Sequence, residues 1–268
     1  MDYKTALQSA ILSQDVYQNF AAIQFRDWIG EKPVLIEEKS TDTQMAILED
    51  LGQKLAIVVF RGSDSNADWG INTDVEQDIY EWSRKEKKEY AEQMEEVTEM
   101  VADEKELIYP DSYSQASNPV KMHRGFTRAY LSVRDRIHTH VQNSIQNSSA
   151  TTYRLVGHSL GGAIATLCAV DLQYNFSPQI SVEAYSFGSP RVGNREFVDS
   201  YNRRVPNTWR VVNGWDAVVG LPAPWQGYRH VDTAVKLERK FTWRIITGSF
   251  EDHRLNNYVK ALRSKIED

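Results

Sequence analysis

The sequence predicts an α/β fold: a mostly parallel central sheet with antiparallel strands at its ends and helices on both faces. Three observations carry this. The run Leu55-Ala-Ile-Val-Val-Phe60 is apolar and largely β-branched, the pattern of a strand buried on both faces. Candidate strands and helices alternate through the middle of the chain, the order that a parallel sheet requires. Residues 163–173 are small and apolar, so they form a helix packed against that sheet.

In chain order, residues 3–20 place Ala6, Leu7, Ala10, Ile11, Val16 and Tyr17 roughly on one helical face. Short strands follow at 34–37 and 44–48, a turn at Asp50-Leu-Gly-Gln53, and the strand at 55–60. The polar loop Arg61-Gly-Ser-Asp-Ser-Asn-Ala-Asp-Trp-Gly70 comes straight after that strand, where open α/β sheets place their chemistry. Residues 83–108 are highly charged, yet Tyr90, Met94, Val97, Val101 and Ile108 keep helical spacing. This predicts a charged helical insertion with one narrow apolar stripe, a candidate cap over the site. A helix follows His123-Arg-Gly-Phe126 through Tyr130 to Ile145, then a strand at 152–156. Further strands are expected at 182–187 and 209–212, a hairpin of 235–237 with 241–246, and a last helix at 254–266. No repeat or linker divides the 268 residues, so one domain is expected throughout.

The charge balance, 37 acidic against 31 basic side chains, lacks the basic surplus that nucleic acid binding needs. No apolar run approaches the roughly 20 residues that cross a bilayer as a helix. The opening Met1-Asp-Tyr-Lys-Thr-Ala-Leu has no signal-peptide pattern, and the single Cys168 cannot form an intrachain disulfide. Together these lead to the expectation of a cytoplasmic or otherwise intracellular protein.

Gly157-His158-Ser159-Leu160-Gly161 matches G-x-S-x-G, a sharp strand-to-helix turn that exposes a serine. A β-branched strand precedes it and a small-residue helix follows, as the motif requires. The new helix directs free N–H groups and its positive end toward the serine oxygen. Serine is inert unless a base takes its proton and an acid orients that base. Downstream bases are His230 and His253; His253, before the terminal helix, is favoured over His230, at the start of a short strand. Among downstream acids, Asp216 lies in a loop at a strand end, whereas Asp171, Glu183, Glu196 and Asp199 lie within helices or a strand. His138 and His140, two apart on a helix, do not share a face.

These segments together resemble the class 3 lipase family of α/β-hydrolases. The likeness is carried by Phe60-Arg-Gly-Ser63 with Asp68-Trp69, His123-Arg-Gly-Phe126, Gly157-His-Ser-Leu-Gly-Gly162 and Phe187-Gly-Ser-Pro-Arg-Val-Gly-Asn194. It continues through Arg210-Val-Val-Asn213 with Asp216, Leu221-Pro222, Gly227-Tyr-Arg-His230, and Asp252-His253 with Tyr258. The resemblance implies an α/β-hydrolase fold, a Ser159–His253–Asp216 triad, and an oxyanion hole from Ser63 and the Leu160 N–H. It implies a carboxylic ester hydrolase, a lipase or esterase on acylglycerol or other lipid esters, working through an acyl-enzyme with no metal or organic cofactor. The alternatives are a catalytically silent lipase-like scaffold for binding, or the same triad on a non-lipid ester.

Two departures stand out. The family's aspartate soon after the lid tryptophan falls here on Asn72 or Asp74, which weakens the expected support of Ser63, and the disulfides of many secreted members are impossible. Trp69, Trp215 and Trp225 are candidates for a lid or acyl groove. A calcium loop starting at Asp64 fails, because Trp69 and Val75 stand where glycine and glutamate are needed. The expected partner is an ester or lipid, with transient contact at a lipid interface; no motif specifies an oligomeric state.

Overall fold

Alternate residues of the 55–60 run point to opposite sides of one sheet. Ala56, Val58 and Phe60 enter one half of the core, and Leu55, Ile57 and Val59 enter the other. That period-two split is what a strand covered on both faces must show. The computed structural model describes residues 1–62, 100–101, 119–231, 234–237 and 248–267.

Helix α1 (Tyr3–Asp15) leads into β1 (Val34–Glu38), β2 (Thr43–Asp50) and β3 (Leu55–Phe60). The Asp2 carboxylate caps α1 by accepting from the amides of Lys4 and Thr5. A two-residue strand β4 (Met100–Val101) pairs antiparallel with β5 (Met122–His123), which enters the long helix α2 (Arg124–Asn147). Then come β6 (Thr152–His158), α3 (Leu160–Phe176), β7 (Ser181–Phe187), α4 (Arg195–Arg204) and β8 (Thr208–Asn213). The order closes with β9 (Ala234–Leu237), the short α5 (Gly248–His253) and α6 (Leu255–Glu267).

The main sheet has seven strands in the order β1-β2-β3-β6-β7-β8-β9. Its β1 and β2 are antiparallel to their neighbours, and every pairing from β3 to β9 is parallel. Helices cover both faces. Phe126, Tyr130, Val133 and Ile137 of α2 share one core half with Ile164, Leu167 and Cys168 of α3. Ala6, Ala10 and Leu12 of α1 share the other half with Leu255, Tyr258 and Leu262 of α6. Fully burying one such leucine or valine contributes about 1.5–3 kcal/mol, and residues 161–172 of α3 are all buried.

One expectation changes here. Met100 and Val101 were expected within a helix over 83–108; they are extended, because pairing with Met122–His123 overrides the local helical spacing. The rest of that insertion, and with it the candidate cap, lies outside the described residues. At the far edge, 235–237 joins β8 as the parallel strand β9, while its expected hairpin partner at 241–246 lies outside the described residues.

A buried ionic cluster ties α2 to α3. The Asp171 carboxylate accepts from the Tyr130 hydroxyl, from Arg134 Nε at 3.1 Å and from Asn175 Nδ2 at 2.8 Å, and it meets His138 Nε2 at 2.5 Å. Parallel strands β3, β6, β7 and β8 all end on the same side of the molecule, and the site is built there.

Candidate active site

Ser159 sits between β6 and α3 with φ 56° and ψ −129°, a conformation that a non-glycine residue adopts only under strain. The flanking glycines make that turn possible by close approach. A Cβ on Gly157 would lie 2.2 Å from the backbone of Gly161, and one on Gly161 would lie 2.3 Å from the carbonyl oxygen of Phe60. The Ser159 amide donates to the carbonyl of Phe187 at 2.9 Å, which ties the turn to the end of β7. Its side chain makes no cap bond to the helix amides. Leu160 opens α3, so its N–H has no acceptor within the helix and lies at the positive end of the helix dipole.

Asp216 leaves the end of β8 through the Gly214-Trp215 turn. Its buried carboxylate meets His253 Nδ1 at 2.8 and 3.0 Å, and accepts from the Val218 amide at 2.9 Å and from the Tyr258 hydroxyl of α6. A buried carboxylate needs such partners, since an unpaired charge is costly to remove from water. Burial and the neighbouring Asp216 push the Tyr258 phenol well above its ordinary range, so it stays a donor. Because a carboxylate only accepts, Nδ1 of His253 is the donor to Asp216, and in the neutral ring Nε2 is then the nitrogen with the lone pair.

Asp252 stitches the two segments together. Its carboxylate accepts from the Trp215 amide at 2.9 Å, and its carbonyl accepts from Asn213 Nδ2 at 3.0 Å. The pair sits directly over the end of β7. A Cβ on Gly188 would lie 2.6 Å from Asp216 Oδ2 and 2.9 Å from His253 Nδ1. The rings of His253 and His158, the residue before Ser159, are 4.5 Å apart. Asp216 and His253 therefore meet at the end of β7, whose last residue, Phe187, accepts from the Ser159 amide. His253, expected in a loop, is the last residue of α5.

The other histidines are held elsewhere. Nε2 of His230 pairs with the carbonyl of Val219 at 2.7 Å, and burial holds this ring down to about 3. His138 faces Asp171, whereas His140 meets the Tyr153 hydroxyl at 3.1 Å. Ser63 and Trp69 lie outside the described residues. Trp215 and Trp225 are 70% and 88% exposed. Among the described residues no group of three or more His, Cys, Asp or Glu side chains converges for a metal ion, and no helix is long and apolar enough to cross a membrane. Sequence reasoning assigned no role to Tyr258 or Asp252. The signals for them were the adjacency of Asp252 to His253 and the place of both residues in the family-like segment Asp252-His253 with Tyr258.

Solved structures share the architecture. The Rhizomucor miehei lipase propeptide complex aligns with a TM-score of 0.64 at 21% identity, covering 95% of this chain and 80% of that one. The mono- and diacylglycerol lipase of Aspergillus oryzae aligns at 0.65 and 21%, covering 90% and 81%. These likenesses establish the α/β-hydrolase fold. In sequence, the secreted mono- and diacylglycerol lipase MDL2 of Malassezia globosa is 31% identical over 54% of this chain and 49% of its own length. Secreted mono- and diacylglycerol lipase 1 of Fusarium solani is 36% identical over 41% of this chain and 32% of its own. The chain thus spans half or less of these relatives. Their names correct the intracellular placement expected above: a single cysteine, buried within α3, is compatible with either redox environment and does not specify one. The family model for lipase (class 3) matches residues 57–225, which hold both the serine elbow and Asp216, and the chain belongs to the class 3 lipase family.

Proposed function

We propose that this chain is a serine ester hydrolase acting on lipid esters, with Ser159 as nucleophile, His253 as base and Asp216 as the acid that orients it. One observation carries this reading: the Asp216–His253 pair, hydrogen-bonded at 2.8 Å, stands beside a strained serine elbow. His253 Nε2 takes the proton of the Ser159 hydroxyl as the oxygen attacks the ester carbonyl. The Leu160 N–H donates to the oxyanion that forms; a single donor of this kind is worth about 2.7–4 kcal/mol in the transition state. His253 then returns the proton to the departing alcohol, leaving an acyl-Ser159. A water deprotonated by His253 cleaves that acyl-enzyme, and the returned proton restores the serine hydroxyl.

The names of the relatives support mono- and diacylglycerols as the substrate class and action outside the cell, and we extend both to this chain. A p-nitrophenyl ester series from acetate to palmitate, run on wild type, Ser159→Ala and His253→Ala, tests the reading. Wild type hydrolyses the esters, and each variant loses at least about 10³-fold in kcat. A folded Ser159→Ala variant with unchanged rate refutes it, and a wild type inert to every ester favours a binding scaffold.

A further inference from the structure

The residue between Gly157 and Ser159 has no part in those proton transfers, yet both of its ring nitrogens are engaged. Nε2 of the buried His158 lies 2.8 Å from the carbonyl oxygen of His253. A carbonyl only accepts, so Nε2 carries the hydrogen. Nδ1 is then the bare nitrogen of a neutral ring, and it accepts from the Tyr17 hydroxyl at 3.1 Å. Burial, with His253 alongside, holds the His158 pKa down to about 3, so this tautomer persists well below neutral pH. The same Tyr17 hydroxyl presses on Gly62, where a Cβ would lie 2.2 Å from it. Tyr17 follows α1, outside the 57–225 segment that the family model matches.

We propose that Tyr17 and His158 are positioning residues, a two-link relay that fixes the main chain of His253 so that its Nε2 faces Ser159. This rests on the catalytic reading above. Asp216 holds His253 by one ring nitrogen, and a side chain pinned at one point can still swing about it. The bond from His158 to the His253 carbonyl supplies a second fixed point, and Tyr17 fixes His158 in turn. Misplacement by about 1 Å is enough to cost ~10²-fold in rate, so a tether of this kind acts on kcat. Neither residue gains or loses a proton during turnover.

The test is steady-state kinetics on p-nitrophenyl butyrate with three variants, each checked for folding by circular dichroism. His158→Phe keeps an aromatic ring but removes both hydrogen bonds; kcat falls about 10–100-fold while KM stays within about twofold. His158→Gln, whose amide both donates and accepts, recovers most of that loss. Tyr17→Phe falls about 2–10-fold, the worth of one hydrogen bond. An unchanged kcat in a folded His158→Phe, or a His158→Gln no better than it, overturns the proposal. ¹⁵N NMR of the wild-type protein decides the matter independently of folding or turnover by the variants. His158 is neutral and protonated at Nε2 from pH 5 to 8; a cation or the Nδ1–H tautomer refutes the relay. A wild type inert to esters but with that tautomer sinks the catalytic reading and with it the positioning role, leaving only the hydrogen-bond pattern of Tyr17, His158 and the His253 carbonyl.

Discussion

Asp216 shows how much of this site is held by single side chains. It is buried, and its oxygens are taken by His253 Nδ1, the Val218 amide and the Tyr258 hydroxyl. Changing it to asparagine places an N–H donor where only an acceptor fits, which favours the wrong imidazole tautomer. Asp216→Asn therefore lowers kcat by about 10³–10⁴-fold. Tyr258→Phe removes one charge-assisted donor and costs about 1.5–3 kcal/mol in urea unfolding, alongside a smaller loss of rate. Ser159 was readable from the glycines two positions either side, because crowding at a tight turn leaves a local trace. Asp216 and His253 were readable from their place after a strand and before the last helix. Tyr17 was not: its partner His158 is 141 residues away, and a lone tyrosine after a helix carries no mark of that contact.

Among the elements, strands were more legible than their partners. The 55–60 run matches β3 because an apolar β-branched stretch has only a two-faced sheet in which to bury itself. β4 escaped notice because two residues pair only through contact with Met122–His123, whereas their local spacing is helical. The helix α5 was also missed; the segment before His253 reads as a loop. Asp171, which the sequence places only within a helix, joins α3 to α2 by accepting from Tyr130 and Arg134, and it also accepts from Asn175 of its own helix. Asp171→Ala leaves the Arg134 guanidinium without its carboxylate acceptor. It destabilises the protein by about 3–5 kcal/mol in denaturant titration, while the kcat of whatever remains folded is unchanged.

For the whole molecule, the alternation of elements was sufficient to predict a parallel sheet covered on both faces. The compartment was not readable, because one buried cysteine is silent about it. The protein's response to acid follows from its buried histidines. Burial holds His123 down to about 4 and His158 down to about 3 from an ordinary 6.5. The unfolded chain binds protons that the folded one refuses, so this stability is complete above about pH 6.5 and lost as pH falls toward 4. Each of these two contributes a slope of about 1.4 kcal/mol per pH unit in that window, and His230, being partly exposed, adds less. Urea midpoints at pH 7, 6 and 5 should fall in order, and a flat series would contradict this. Covalent titration with diethyl p-nitrophenyl phosphate, read by peptide mass spectrometry, bears most directly on the chemistry. One equivalent adds to Ser159, and ester hydrolysis disappears in proportion to the adduct. An adduct elsewhere, or hydrolysis that survives full modification of Ser159, contradicts a mechanism built on that hydroxyl.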